Sequence, residues 1–103
     1  MNISTTALDL HGKQLTKIRP SIFQQPKLQI LLLYGNELTS VPSELGNLIN
    51  LQTLDLSYTP LRSLPAELGK LTKLQKLYLS SCPIPEKEKQ KIKSWLPNCK
   101  IEF

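Results

Sequence analysis

Apolar residues along this chain return on a period of 23 residues. Leu28, Leu31, Leu33, Leu38, Val41, Pro42, Leu45 and Leu48 come back as Leu51, Leu54, Leu56, Leu61, Leu64, Pro65, Leu68 and Leu71. A fixed period of this size marks a solenoid, in which no unit buries its apolar side alone and each must stack on its neighbours. The two exact units are 28–50 and 51–73. Within each, Leu-x-x-Leu-x-Leu ends in strict alternation, the pattern of a strand with one buried face. Leu31 and Leu33 then point inward, and Ile30, Leu32 and Tyr34 point out. Beyond the strand the leucine spacing lengthens to three and four around Val41-Pro42 and Leu64-Pro65. Proline lacks a backbone donor, so it suits an irregular return segment outside the sheet.

The same frame, carried outward, finds two degenerate copies. Residues 5–27 place Leu8, Leu10, Leu15, Ile18 and Ile22 on the apolar positions, with Thr5 in place of the first leucine and Arg19 in place of the proline. Residues 74–84 carry Leu74, Leu77, Leu79 and Ile84 before the pattern breaks. The expectation is one domain, 1–103, of three units and a truncated fourth (about 5–27, 28–50, 51–73 and 74–84), closed by a cap over about 85–103.

A solenoid end needs a cap, because it otherwise exposes core leucines and a raw sheet edge. At the C-terminus, Pro85 suits a first helical turn, Glu86 and Glu88 favour its positive end, and Lys91 and Lys93 favour the other. A helix over about 86–96 follows, with Ile92, Trp95 and Leu96 on one side and Pro97 as its stop. Cys99, Ile101 and Phe103 alternate with Lys100 and Glu102, which predicts a short closing strand. No comparable element precedes the first strand. The stretch Ala7 to His11 is therefore expected as an exposed edge, open to another copy of the chain or to a partner.

These residues carry a resemblance. The runs LQILLLYGNELTSVPSELGNLIN and LQTLDLSYTPLRSLPAELGKLTK resemble the 23-residue units of the leucine-rich repeat family, in its bacterial or plant intracellular form, over roughly residues 5–84. A lysine-rich helix followed by LPNCKIEF is similar to the ending of small bacterial members. The resemblance implies an α/β fold: a short horseshoe segment with a parallel β-sheet on its concave side, a helix-plus-strand cap, and a partner-binding role without catalysis. At the ninth position of each unit the family usually places an asparagine that bonds backbone groups of adjacent turns. Here that position holds Lys13, Asn36, Thr59 and Cys82. Threonine and cysteine each keep one donor for that ladder, whereas Lys13 predicts an exposed first turn.

Register then marks the candidate site on the concave face. Outward positions are Ala7, Asp9 and His11; Ile30, Leu32 and Tyr34; Thr53, Asp55 and Ser57; Lys76, Tyr78 and Ser80, with Gly35 and Tyr58 at the adjoining turns. An apolar and aromatic centre of Ile30, Leu32, Tyr34 and Tyr78, rimmed by Asp9, Asp55 and Lys76, has the composition of a protein interface. The partner set is therefore Asp9, His11, Ile30, Leu32, Tyr34, Asp55, Tyr58, Lys76 and Tyr78. The reading beside it is that curvature packs these side chains on one another with no partner, and a self-associating structural protein is the alternative function.

Composition narrows the remaining classes. The chain has 103 residues, 40% of them hydrophobic, enough for one modest core. Net charge is +5, with Lys87, Lys89, Lys91, Lys93 and Lys100 close together in the cap. This offers nucleic acid or an anionic surface as a lesser alternative. Interleaved Glu86, Glu88 and Glu102 argue instead for a solvated helix. Enzymatic chemistry fits worst: His11 is the only histidine, no nucleophile stands with it at any motif spacing, and the glycines form no phosphate loop. Cys82 and Cys99 allow one intramolecular pairing but sit at structural positions, and a cytosolic chain favours free thiols. Neither a cofactor nor a metal is called for, since no Cys-x-x-Cys or His/Cys cluster occurs. Met1 to Thr6 lacks the features of a secretion signal and no apolar run is long enough to span a membrane, so the location expected is cytoplasmic, with leaderless export left open.

Overall fold

The computed structural model describes residues 6–103. Thr5, at the head of the first unit, and the first five residues of the Met1 to Thr6 stretch lie outside them.

Each unit contributes one short strand: β1 (Ala7–Asp9), β2 (Ile30–Leu32), β3 (Thr53–Asp55) and β4 (Lys76–Tyr78). The C-terminal β5 (Lys100–Glu102) adds a fifth, and the sheet runs in chain order β1-β2-β3-β4-β5, parallel throughout. Register follows the repeat: Leu8, Leu31, Leu54, Leu77 and Ile101 form one row across the sheet. Leu31, Leu54 and Leu77 are wholly buried, as are Leu33 and Leu56 two residues on. The side-chain alternation of a strand sends these leucines to one face and their neighbours to the other.

The return segments are more regular than the sequence implied. Each of the first three units makes a 3-10 helix, Pro20–Gln24, Ser43–Asn47 and Ala66–Lys70, where an irregular path was expected. In the second and third units a proline in extended conformation, Pro42 or Pro65, sits immediately before the helix. Its carbonyl accepts the first helical hydrogen bond, from Leu45 or Leu68. The leucine spacing of three is compatible with a 3-10 turn, because residues three apart eclipse in that geometry. Leu45 and Leu68 are thereby placed in the core.

The ninth position works as a ladder, and each residue type decides its reach. Asn36 is buried and makes four hydrogen bonds: its Oδ1 accepts from the Lys13 and Leu15 N–H groups, and its Nδ2 donates to Leu10 and Leu33 carbonyls. Thr59 Oγ1 donates to Leu56 O at 2.8 Å, and Cys82 Sγ reaches the same carbonyl at 3.1 Å. Lys13 is exposed and takes part only through its backbone.

The C-terminal end is closed by α1 (Glu86–Trp95), with Glu86 and Glu88 in its first turn and Lys93 in its last. Pro85 caps this helix from outside in extended conformation instead of occupying the first turn. Ile92 and Leu96 enter the core and Trp95 packs against it. Phe103 is held beneath Lys89 and Lys93, whose ammonium groups lie 5.3 and 5.7 Å from the ring centre, in cation-π range. Cys82 and Cys99 are free thiols, both half-buried, and burial raises the Cys99 pKa. No helix among the described residues is long and apolar enough to cross a membrane.

Candidate functional site

Two rows of side chains stand on the concave face of the sheet. The first is Ala7, Ile30, Thr53, Lys76 and Lys100; the second is Asp9, Leu32, Asp55, Tyr78 and Glu102. The second row alternates carboxylate and apolar group across all five strands. Ile30 is 38% exposed, and Leu32, Tyr34 and Tyr78 are partly exposed on the same side.

The fold brings together part of the set read from the sequence and separates the rest. Ile30, Leu32 and Tyr34 project from β2 and its continuation. Beside them the His11 ring lies parallel to Tyr34, with centroids 4.7 Å apart and planes 6° from parallel. Asp9 fixes that imidazole, its Oδ1 lying 2.6 Å from His11 Nδ1 and accepting the His11 backbone N–H at 3.1 Å. The side-chain hydrogen bond from His11, followed by the backbone one, holds the Asp9 carboxyl below its ordinary pKa. Tyr78 and Lys76 stand two strands away, with Asp55 between Leu32 and Tyr78 in the row. The patch is thus an apolar and aromatic cluster on β1 and β2, and a separate tyrosine on β4. Strand spacing puts the two roughly 10 Å apart.

Ser57 departs from the outward reading. It is buried at 4% exposure, and its Oγ accepts the Ser80 N–H while its own N–H donates to Asp55 Oδ1. A hydroxyl this short forms its bonds within the backbone layer and does not reach the surface. Tyr58 stands out at 63% exposure, with φ +58. Gly12, Gly35 and Ser81 occupy the same position of their units and share that left-handed conformation.

Three features escaped the sequence reading. The stacking of His11 on Tyr34 follows from a spacing of one period, so the repeat frame contained it. Ile49 is 55% exposed in the loop after the second 3-10 helix, at a position where neighbouring units carry Pro26 and Thr72. Leu8, Leu10 and Leu15 are only half-buried although they occupy core positions. Among the described residues no group of His, Cys, Asp and Glu could hold a metal ion.

Strands of three residues stacked in parallel, with a return segment and an asparagine-type ladder per 23 residues, define a leucine-rich repeat solenoid. The chain belongs to the leucine-rich repeat family, whose profiles match residues 3–61 and 26–84, and a second profile matches 73–101. Members of this family generally serve as protein-interaction modules. A leucine-rich repeat protein of Leptospira interrogans is similar over 95% of this chain, at 41% identity and a TM-score of 0.92. An internalin of Listeria monocytogenes shares the fold over 84% of the chain, at 24% identity and a TM-score of 0.65. The chain spans about a quarter of the length of each of these proteins. No curated protein matches it.

Proposed function

We propose that this chain is a non-catalytic protein-interaction module that binds a partner protein through its concave sheet face, using Asp9, His11, Ile30, Leu32, Tyr34, Asp55, Tyr58, Lys76 and Tyr78. The observation that carries the reading is the partly exposed Ile30, Leu32 and Tyr34 group, held on a hydrogen-bonded sheet and extended by the stacked His11. Apolar surface on a rigid support is bound without ordering the support, which is how preformed patches favour association. The carboxylate and apolar alternation in the second row fits a partner with apolar side chains about 10 Å apart and a cation between them. A bacterial, intracellular setting accords with the bacterial relatives and with two unpaired thiols.

Capture from lysate of the source organism, followed by mass spectrometry, tests this. A Leu32→Ala, Tyr34→Ala, Tyr78→Ala variant should keep the circular dichroism of the parent and lose the proteins that the parent retains. Unchanged capture by the folded variant would remove the concave face as the binding surface. The lysine cap is a weaker candidate for nucleic acid, since Lys91 pairs with Glu88 and Lys89 and Lys93 lie over Phe103.

A further inference from the structure

The two ends of the solenoid differ. At the C-terminal end, α1 and β5 cover the last full strand. At the other, Leu8, Leu10 and Leu15 remain half-buried, whereas Leu31, Leu33 and Leu38, at the same positions one unit later, are 0% exposed. Beside these three residues lies an open groove of about 790 Å³, walled further by Ile22 and flanked by Lys17 and Arg19.

The edge of β1 is also an unfilled ladder. In β2, the Ile30 N–H donates to Thr6 O and the Leu32 carbonyl accepts from Leu10 N–H, so these groups face the preceding strand. The equivalent groups of β1 are the Ala7 N–H and the Asp9 carbonyl, and no strand lies beside them among the described residues. A segment added there meets the geometry that four existing parallel ladders already use. β5 shows that such a strand need not be a full unit: Lys100–Glu102 satisfies β4 and places Ile101 in the leucine row.

Charge selects the occupant. Lys17 and Arg19 are exposed and no carboxylate lines the groove. A second copy stacked head to tail would continue the register with Glu102 beside Asp9, and would bring the lysine-rich cap onto Lys17 and Arg19. Two β1 edges facing each other would likewise bring the cationic ends together. Like charges at close range oppose both arrangements.

We propose that the open end takes an extended acidic segment of another protein as a sixth parallel strand. Two apolar side chains at a spacing of two lie over Leu8 and Leu10, and the backbone bonds Ala7 N–H and Asp9 C=O. Because a parallel segment leaves the strand in the same direction as the chain leaves β1, carboxylates that follow the apolar pair reach Lys17 and Arg19. The surface adjoins the concave face at Asp9, where it uses the backbone carbonyl and not the side chain, and it does not depend on the binding proposed there.

The test uses the whole 103-residue chain and a labelled synthetic peptide carrying Leu-Ser-Leu followed by a glutamate-rich stretch, with a lysine-rich counterpart as control. Fluorescence anisotropy should show binding of the acidic peptide. Nuclear magnetic resonance should place the shift changes, with slowed amide exchange, at Ala7 and its neighbours and leave Tyr78 unmoved. Lys17→Glu with Arg19→Glu, both at exposed positions, should weaken the acidic peptide at least ~10-fold and gain the lysine-rich one, an exchange that mere loss of structure cannot produce. The proposal is overturned if both peptides bind the parent alike, or if no β1 amide responds. It is also overturned if Ala7 N–H is already protected in the free chain, whether sedimentation then reports a monomer covered by its own residues or a dimer.

Discussion

The Asn36 carboxamide joins two turns of the solenoid by using both lone pairs of its oxygen and both hydrogens of its nitrogen. Removing it strands backbone donors and acceptors away from water, which is costlier than the loss of an ordinary hydrogen bond. Asn36→Ala should therefore lower unfolding free energy by about 2–4 kcal/mol, measured by urea titration. Tyr58 presents the opposite case, a bulky side chain in a left-handed backbone conformation that Gly12 and Gly35 adopt without steric conflict. Tyr58→Gly should leave stability unchanged or raise it by up to about 1 kcal/mol, and a thermal melt decides. At Asp9 the folded-state pKa is depressed, so the His11 contact is present above the ordinary aspartate range and is lost only as pH falls through the lower, folded value. The carboxylate resonance of Asp9 should titrate at lower pH than a free aspartate and move back up in His11→Ala.

At the scale of elements, strand positions were legible because a period of two is imposed by covalent geometry, and Leu31, Leu33, Leu54 and Leu56 followed it. The cap helix was legible for a similar reason: Ile92 and Leu96 are four apart, with acids at the start and lysines at the end. The 3-10 helices were not, since apolar residues three apart suit several tight conformations and only the stacking of units selects one. Gly46 and Gly69 share a repeat position, yet their surroundings differ. A Cβ on Gly46 would meet Glu67 O at 2.8 Å in the next unit, whereas one on Gly69 would first meet Trp95 Cβ at an ordinary 3.5 Å. Gly46→Ala should then destabilise by about 1–3 kcal/mol through overpacking, and Gly69→Ala should stay within about 0.5 kcal/mol of the parent or slightly above it, as denaturant midpoints will report.

Across the whole molecule, stability should grade from one end to the other. Each unit contacts only its neighbours, and among the described residues no strand lies on the outer side of β1, so local weakness is expected to be greatest there. The Leu10 and Gly12 amides bond Leu32 and Tyr34 carbonyls just as the Leu33 and Gly35 amides bond Asp55 and Ser57. Hydrogen exchange should nevertheless be faster at Leu10 and Gly12 than at Leu33 and Gly35. Equal protection along the solenoid would mean that the chain unfolds only as one unit and that its open end carries no local weakness. The concave candidate surface belongs to this scale as well. Single residues such as Leu32 or Tyr34 were visible in the register, but the separation of Tyr78 from them rests on the order of the strands, which sets Asp55 of β3 between Leu32 and Tyr78.

The 23-residue period by itself determined a stacked solenoid, its buried leucines and the direction in which Ile30, Leu32, Tyr34 and Tyr78 face, because a repeat and its side-chain alternation are local properties carried from unit to unit. The parallel sheet was implied by the resemblance to leucine-rich repeat units and is present in the fold. Tertiary structure alone decided the matters that depend on what stands next to a residue: the burial of Ser57, the crowding at Gly46 and the half-covered leucines of the first unit. Sequence specifies each unit's own geometry, and contact between units specifies which of its groups are left free to bind.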